Sequence, residues 1–421
     1  MKMRVTPFRA EGSLRAQPSK STAHRLLICA ALSDRETEIV LPSMNADMEA
    51  TAACLSALGA RFQRAGECVR VIPLAEKITC PPLNCGESGS TLRFLLPVAA
   101  ALSGASFTGR GRLPQRPLSD LTEELTAHGV SVSADRLPLQ VSGGLLGGRF
   151  SLPGGVSSQY FTGLMLAAPL IGETVIDIRG RLESAAYIAM TREVMRLFGV
   201  KTEMTEDRIT VFGGQRYVSP GRVAAEGDWS GAAFPLALGA LAGRVTVLGL
   251  QADSAQGDKR IVPLLKRMGA KVSQDESSVT AERAERLTAL TQDVSGIPDM
   301  VPALAALLMH AEGTSFLQNA GRLRLKESDR LESVCAMVNS LGGRARIKGD
   351  SLVIEGSDHC AGGAVDGYGD HRIVMAALAG ASRCAGPSEI SGAEAVQKSY
   401  PSFWDDITAL GGTIDVVGIR E

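Results

Sequence analysis

The segment Arg322-Leu-Arg324-Leu-Lys326-Glu327-Ser328-Asp329-Arg330 packs four cations and two carboxylates into nine residues. Arg322, Arg324 and Lys326 alternate with leucines, so the pattern reads as a strand with one wholly cationic face. Like charges side by side cost stability unless an anion neutralises them. Ser328 or Asp329 then supplies an N-cap for the helix that follows. Further on, Asp370-His371-Arg372 sets a carboxylate, an imidazole and a guanidinium in a row, and Lys398 closes the series. Near the start, Gln17-Pro18-Ser19-Lys20-Ser21 has the look of a phosphate loop. It lacks the glycine before Lys20 that such a loop needs, and Pro18 removes a donor. Lys20 and Ser21 open a helix, with Arg25 one turn along the same face. Taken alone, that segment reads as a capped surface helix with a solvated charge pair. Small residues in Gly86-Glu87-Ser88-Gly89-Ser90-Thr91 let a ligand approach the backbone, and Arg112-Leu-Pro-Gln-Arg116-Pro117 is a stiff basic loop. If these loops converge, Lys20, Arg25, Arg116, Lys326, Arg330, Arg372 and Lys398 make a cationic site in which Asp299 and Glu327 can move protons. Such a site suits two small, multiply anionic substrates.

The elements that must position these residues repeat along the chain. Six helical stretches are apolar on nearly every face: 26–32, 92–102, 160–171, 231–242, 300–309 and 373–381. Their polar leading edges, Thr22, Thr91, Tyr160, Trp229, Asp299 and His371, are spaced by 69, 69, 69, 70 and 72 residues. A helix apolar all round is buried. Its N-terminus, with free N–H groups and a positive dipole end, is an anion site. Six such ends point to one anion-binding centre assembled from repeats. Between them run amphipathic helices that stop at Gly59, Gly129, Gly199, Gly269, Gly342 and Gly411. Glycine just past a helix takes the left-handed conformation cheaply. After five of the six a hairpin is legible, for example 200–204 with 208–212 and 344–347 with 351–354. The unit is a strand, a buried helix, a strand, an amphipathic helix and a hairpin. It is longer than the roughly 20–50 residues of a solenoid repeat. The expected fold is therefore α/β, with two similar globular domains of three βαβαββ repeats each. The boundaries expected are 19–223 for the first domain and 1–18 plus 224–421 for the second, with hinges near 18–20 and 220–226. Tyr217–Arg222 is the best linker candidate.

Composition narrows the function classes. A chain of 421 residues exceeds the roughly 250–300 that one core usually serves, so two domains are expected. The net charge is −1 and aromatic residues are 4%, which disfavours nucleic-acid partners and base-stacking platforms. The apolar helices are too short to span a bilayer, and residues 1–20 lack the apolar region of a signal peptide, so a cytoplasmic enzyme is expected. Eight cysteines include no CxxC pair, and five histidines are scattered. No metal or cofactor is expected.

Together the motifs resemble those of the EPSP synthases, the 3-phosphoshikimate 1-carboxyvinyltransferases of the enolpyruvyl transferase family. The matching residues are Ser19-Lys20-Ser21 with Arg25, Gly89-Ser90-Thr91 with Arg93, Arg116-Pro117, and Ser157-Ser158-Gln159. Glu226-Gly227-Asp228, Ile297-Pro298-Asp299, Lys326-Glu327-Ser328-Asp329-Arg330, Asp370-His371-Arg372 and Lys398 complete the set, which spans essentially the whole chain. The resemblance implies transfer of the enolpyruvyl group of phosphoenolpyruvate to the 5-hydroxyl of shikimate 3-phosphate through a tetrahedral intermediate. It implies two domains that close over the ligands, with helix N-termini facing an interdomain cleft, and a monomer with no membrane or nucleic-acid partner. By resemblance, shikimate 3-phosphate is bound by Lys20, Ser21, Arg25, Ser157, Ser158, Gln159, Ser184, Asp299 and Lys326. Phosphoenolpyruvate is held by Lys20, Gly89, Arg116, Gln159, Arg330, Arg372 and Lys398, with Arg93, Asp370 and His371 in support. Asp299, Glu327 and Lys20 are the implied catalytic residues, and which carboxylate is acid or base at each step stays open. Gly227-Asp228 is expected to serve the hinge. Glu87, Trp229 and Arg322 depart from the family pattern, where asparagine, a small residue and asparagine are usual. Gly89 is expected to leave room for glyphosate, a phosphoenolpyruvate competitor. The sister transferase acting on UDP-N-acetylglucosamine typically carries a reactive cysteine near the Arg116 loop, and residues 109–119 contain none. A non-catalytic anion-binding repeat protein would leave Asp299 and Glu327 without a purpose. An RNA-end-processing enzyme fits poorly with the charge and aromatic content.

Overall fold

The computed structural model describes residues 1–74 and 80–417. Apolar and amphipathic helices alternate along it as the spacing predicts. The first three repeats contain α1 (Lys20–Ala31) and α2 (Ala46–Ala57), α3 (Gly89–Leu102) and α4 (Ser119–Ala127), then α5 (Ser158–Ile171) and α6 (Ala185–Leu197). The last three contain α7 (Trp229–Ala242) and α8 (Ile261–Arg267), α9 (Val301–Leu308) and α10 (Arg330–Ser340), then α11 (His371–Ala381) and α12 (Phe403–Ala409). Every residue of α7 is buried, as its lack of a polar face requires. The polar clusters ahead of the apolar helices act as caps. Ser88 accepts from the Thr91 amide, Ser157 from Gln159, Asp228 from Ser230 and Asp370 from Arg372, pairing N–H groups that the helix itself leaves open. The amphipathic helices are each followed two residues later by the expected glycine. All six of these glycines have positive φ, Gly59 at 111° and Gly199 at 79° among them.

Sheet topology repeats as strictly as the helices. Six four-stranded sheets share one pattern, a parallel pair extended by two antiparallel strands. In the third repeat, Gly148–Pro153 lies parallel to Thr174–Arg179, which pairs with Arg208–Val211 and then Thr202–Met204. Three sheets borrow strands from far along the chain, and that of the fourth repeat takes Glu11–Arg15 parallel to Arg244–Leu248. Arg222–Ala224 runs parallel to Thr37–Val40 and completes the first repeat. Among the described residues the last repeat has no second hairpin strand of its own, and Lys2–Thr6 fills that place between Ser388–Ser391 and Thr413–Val416. This is why only five hairpins are legible in sequence.

The chain divides into two compact units, residues 20–225 and residues 1–19 with 226 onward. Each has its own apolar core. In the unit 20–225, α3 packs along α5. Gly163 permits the close approach, because a Cβ there would overlap the Arg93 carbonyl and Pro97. In the other unit, α7, α9 and α11 pack against one another. The linker reading of Tyr217–Arg222 does not hold. Tyr217 is buried and donates its hydroxyl to the Leu166 carbonyl at 3.0 Å. Ser219 is buried against Thr37, so the segment belongs to the body of its unit. Among the described residues no helix is long and apolar enough to cross a membrane, and all eight cysteines are free thiols.

Each core also buries a histidine. His24 Nδ1 lies 2.7 Å from Thr51 Oγ1, and His310 Nε2 lies 2.9 Å from the Gly380 carbonyl. Burial holds their pKa values down to about 3 and about 4, against about 6.5 in an unfolded chain. Between those values the unfolded chain binds more protons. The stability tied to keeping both rings neutral is thus complete above about pH 6.5 and lost as the pH falls toward the folded values. The thermal midpoint is expected to fall from pH 7 to pH 4, and His24→Asn to flatten that fall for the unit 20–225. An identical slope in the variant would remove His24 from the acid response.

Candidate active site

The cationic nine-residue segment is not a strand. Gly321–Leu325 forms a 3-10 helix, and the alternation misleads because Leu323 is buried while Leu325 is exposed. A turn with three residues per revolution spreads Arg322, Arg324 and Lys326 over different faces. Arg324 pairs with Asp329 and Glu332 at 3.1 and 3.2 Å. Lys326 donates to Asp299 Oδ1 at 3.1 Å. Asp329 is the N-cap of α10, accepting from the Glu332 amide, which leaves Arg330 as the first helical residue.

Arg330 is the hub of this unit's cluster. Its Nη1 donates to Asp299 Oδ1 at 2.6 Å, Nη2 to Glu327 Oε2 at 2.5 Å, and Nε to Asp370 Oδ2 at 2.7 Å. The planar fork of this arginine serves three carboxylates at once, each from a different nitrogen. The side chain is 1% exposed. Burial by itself would weaken its charge, but Asp370, Glu327 and Asp299 raise its pKa above the ordinary arginine value. Burial likewise opposes ionisation of Asp299, yet Lys326, Arg372 and Arg330 outweigh it and hold the carboxyl well below the usual range. Lys326 is shifted downward by burial, with Asp299 pulling the other way. Arg372 donates Nη1 to the Asp299 backbone carbonyl at 3.1 Å and Nη2 to Ser230 Oγ at 3.2 Å. Asp370 also accepts the Ser328 hydroxyl at 3.0 Å. His371 is buried with its Nδ1 3.8 Å from Asp370. Lys398 ends the 3-10 helix Ala393–Lys398 and is half-buried.

The unit 20–225 carries a second cluster. Lys20, the first residue of α1, pairs with Asp47 at 2.9 Å. Arg25 is not the solvated surface charge that its segment suggests. It is 2% exposed, and its guanidinium donates to the Ser21 carbonyl, Thr191 Oγ1, Thr162 Oγ1 and the Tyr187 carbonyl. Burial lowers its pKa to about 10, so it stays cationic at neutral pH while bracing α1 against α5 and α6. Gln159 bridges Ser90, to which its amide donates at 3.0 Å, and Arg93, from which it accepts at 3.2 Å. Arg93 also reaches the Pro117 carbonyl at 3.1 Å, placing the Arg116-Pro117 loop beside α3. Gly89 faces two guanidinium groups: a Cβ there would lie 2.6 Å from Arg116 Nη1 and 2.7 Å from Arg93 Nη1. Ser157 caps α5 and Ser158 opens it. Ser184 sits at φ 57°, a left-handed conformation uncommon for serine.

Asp47, Ser230 and Asp258 escaped the sequence reading, although each touches a cluster residue or its immediate partner. Ser230 lies two residues past the Gly227-Asp228 pair expected to serve the hinge, and it contacts Arg372 itself. Nothing local marks Asp47 or Asp258, because each meets its partner 27 or 28 residues away.

Lys20, Arg330 and Arg372 all lie in the first turn of a helix. The dipole disfavours cations there, and carboxylates relieve the conflict in each cluster. A surplus of positive potential at helix N-termini is the arrangement that receives phosphate and carboxylate groups. Among the described residues no group of three or more His, Cys, Asp or Glu could hold a metal ion.

Residues 6–407 match the family model described as EPSP synthase (3-phosphoshikimate 1-carboxyvinyltransferase). The chain belongs to the EPSP synthase family. A 3-phosphoshikimate 1-carboxyvinyltransferase of Clostridium kluyveri is 39% identical over 416 residues, covering 98% of this chain and 97% of the relative. One from Clostridium acetobutylicum is 37% identical over 421 residues, covering 98% of each. The solved EPSP synthase of Acinetobacter baumannii shares the fold with a TM-score of 0.81 at 24% identity, over 99% of this chain and 100% of that one. The enolpyruvyl transferase NikO of Streptomyces tendae shares it with a TM-score of 0.79 at 17% identity, over 98% of each chain. The EPSP synthase fold is thus built here from six βαβαββ repeats.

Proposed function

We propose that the two cationic clusters hold the two anionic substrates of one enolpyruvyl transfer, and that the carboxylates on Arg330 move its protons. The enzyme is a 3-phosphoshikimate 1-carboxyvinyltransferase of the shikimate pathway. It moves the enolpyruvyl group of phosphoenolpyruvate to the 5-hydroxyl of shikimate 3-phosphate, releases phosphate and feeds chorismate and aromatic amino acid synthesis. The reading of the site rests on one observation: Asp299 and Glu327 are held by the same buried guanidinium. Arg330 keeps the two carboxyl groups in fixed places within a cationic cluster, as acid–base work in an addition–elimination requires. One takes the 5-hydroxyl proton and the other delivers a proton to the methylene carbon. Lys20, Ser21, Arg25, Ser157, Ser158, Gln159, Ser184 and Lys326 are assigned to shikimate 3-phosphate, with Arg25 acting through the placement of Ser21. Lys20, Gly89, Arg116, Gln159, Arg330, Arg372 and Lys398 are assigned to phosphoenolpyruvate. A cytoplasmic monomer acting on these small molecules alone is the proposed working form. Phosphate release that requires both substrates tests the reaction, and pure folded protein that releases none would end this reading.

Gly89 carries a sharper expectation. A methyl group there would lie 2.6 and 2.7 Å from Nη1 of Arg116 and Arg93, so those guanidinium ends must shift, and a lost hydrogen bond to a charged substrate group costs about 1.5–3 kcal/mol. Gly89→Ala is expected to raise the KM for phosphoenolpyruvate by roughly 10- to 100-fold, with a much smaller change for shikimate 3-phosphate. The guanidinium groups beside Gly89 are proposed to receive glyphosate as well. An unchanged rate in millimolar glyphosate would remove that part.

A further inference from the structure

Asp258 is a buried carboxylate that the chemistry above leaves unused. It lies in the 3-10 turn Gly257–Arg260 at 5% exposure. Its Oδ2 accepts the Ser230 hydroxyl, and Ser230 Oγ in turn accepts Arg372 Nη2 at 3.2 Å. The other arm of that guanidinium donates to the Asp299 carbonyl at 3.1 Å. The first turn of α7 is gripped around this relay. Asp228 Oδ1 accepts the Ser230 amide at 2.9 Å. Gln256, two residues before Asp258, donates to the Gly227 carbonyl at 2.8 Å and accepts the Trp229 amide at 3.1 Å. Ser230 therefore cannot follow Arg372 if the guanidinium turns.

We infer that Asp258 is a positioning residue for Arg372, acting through the Ser230 hydroxyl to fix the guanidinium that receives phosphoenolpyruvate. The inference rests on the assignment of Arg372 to that substrate. A serine hydroxyl has one proton and two acceptor lone pairs. While Asp258 is ionised, the proton is committed to the carboxylate and Oγ offers only lone pairs to Arg372. When Asp258 is protonated, the acid can donate to Oγ instead. The serine proton must then point elsewhere, in competition with the arginine N–H. The charge of Asp258 thus sets the direction of the relay.

Asp258 faces Asp299 in the 3-10 turn Pro298–Met300, Arg372 in α11 and the α7 cap Asp228, and it shares its turn with Lys259 and Arg260. Burial first, then Asp299, raises its pKa to about 6, while Arg372 and Ser230 pull it down. Its ionisation falls close to neutral pH, where the relay can be switched by a modest change of acidity.

The test compares Asp258→Asn, Ser230→Ala, the double variant and Arg372→Ala in the two-substrate phosphate-release assay. Loss of a hydrogen bond to a charged group corresponds to roughly a 10-fold effect or more. Asp258→Asn and Ser230→Ala are each expected to raise the KM for phosphoenolpyruvate about 10-fold, with kcat and the KM for shikimate 3-phosphate changed far less. The double variant is expected to be no worse than either single one, because both break one relay. The ratio of wild-type to Asp258→Asn kcat/KM for phosphoenolpyruvate is expected to rise with pH through about 6 and then level off. The substrate's own phosphate ionises near pH ~6, but it is common to both enzymes and cancels in the ratio. An unchanged KM in both single variants, additive effects in the double one, or a flat ratio overturns the inference. If Asp258→Asn does not fold, Ser230→Ala removes a single oxygen and carries the test. No phosphate release by the wild type, or an unchanged KM in Arg372→Ala, instead overturns the underlying assignment and the inference with it.

Discussion

A Glu327→Gln enzyme is expected to turn over roughly 10²- to 10⁴-fold more slowly, the range for loss of a positioned acid or base, with both KM values within a few-fold of normal. The amide is nearly isosteric and keeps an oxygen to accept Arg330 Nη2, which now lies 2.5 Å from Glu327 Oε2. Arg330 remains held by Asp299 at 2.6 Å and by Asp370 at 2.7 Å. The geometry should survive while the capacity to carry a proton disappears. Steady-state kinetics in both substrates check this, alongside a thermal melt to show an intact fold. Asp299→Asn is a different experiment. Asp299 meets Lys326 and Arg330 and lies 3.7 Å from Arg372, so its neutralisation should also disturb substrate binding. A normal kcat in Glu327→Gln would take Glu327 out of proton transfer.

The largest stability effect is expected from Arg330→Met. Breaking a buried ion pair by removing one partner costs about 3–5 kcal/mol, because the other charge is left uncompensated. Here the methionine leaves Asp299, Glu327 and Asp370 together, and Asp370 is fully buried. For a unit of this size, 1 kcal/mol moves the thermal midpoint by about 2–4 °C, so a drop of roughly 6–20 °C is expected at pH 7. The sign with pH follows from Asp299, whose folded pKa is depressed. Its stabilisation is present above the unfolded value near 4 and is lost as the pH falls below that toward the folded value. The gap between wild type and Arg330→Met should therefore narrow on acidification. Arg330→Lys should fall between them, since one ammonium cannot reach three carboxylates in the plane that the fork does. A midpoint shift under about 2 °C would show that the carboxylates find other partners.

Much of the architecture could be read locally. The apolar helices begin within a few residues of their expected edges, and Gly59, Gly129, Gly199, Gly269, Gly342 and Gly411 all lie two residues past a helix with positive φ. Helix burial and C-terminal glycine are properties of a few consecutive residues, so sequence spacing reports them. The segment 322–326 shows the limit. Alternating arginine and leucine fit a strand, but pairing needs a neighbouring strand, and the chain there turns into a 3-10 helix that exposes Leu325.

What the sequence by itself determined is the repeat, the family and the chemical types gathered at the helix ends. Only the tertiary structure decided which of those groups meet. Arg25 became a buried brace because Thr162 and Thr191, far along the chain, supply its acceptors. The last sheet closes with Lys2–Thr6, from the opposite end of the chain. Asp258 joins Arg372 through Ser230, a contact that no local pattern announces. Pairings of this kind depend on how distant repeats pack, and charge is stabilised by whatever lies within a few ångströms in space, not by its neighbours in sequence.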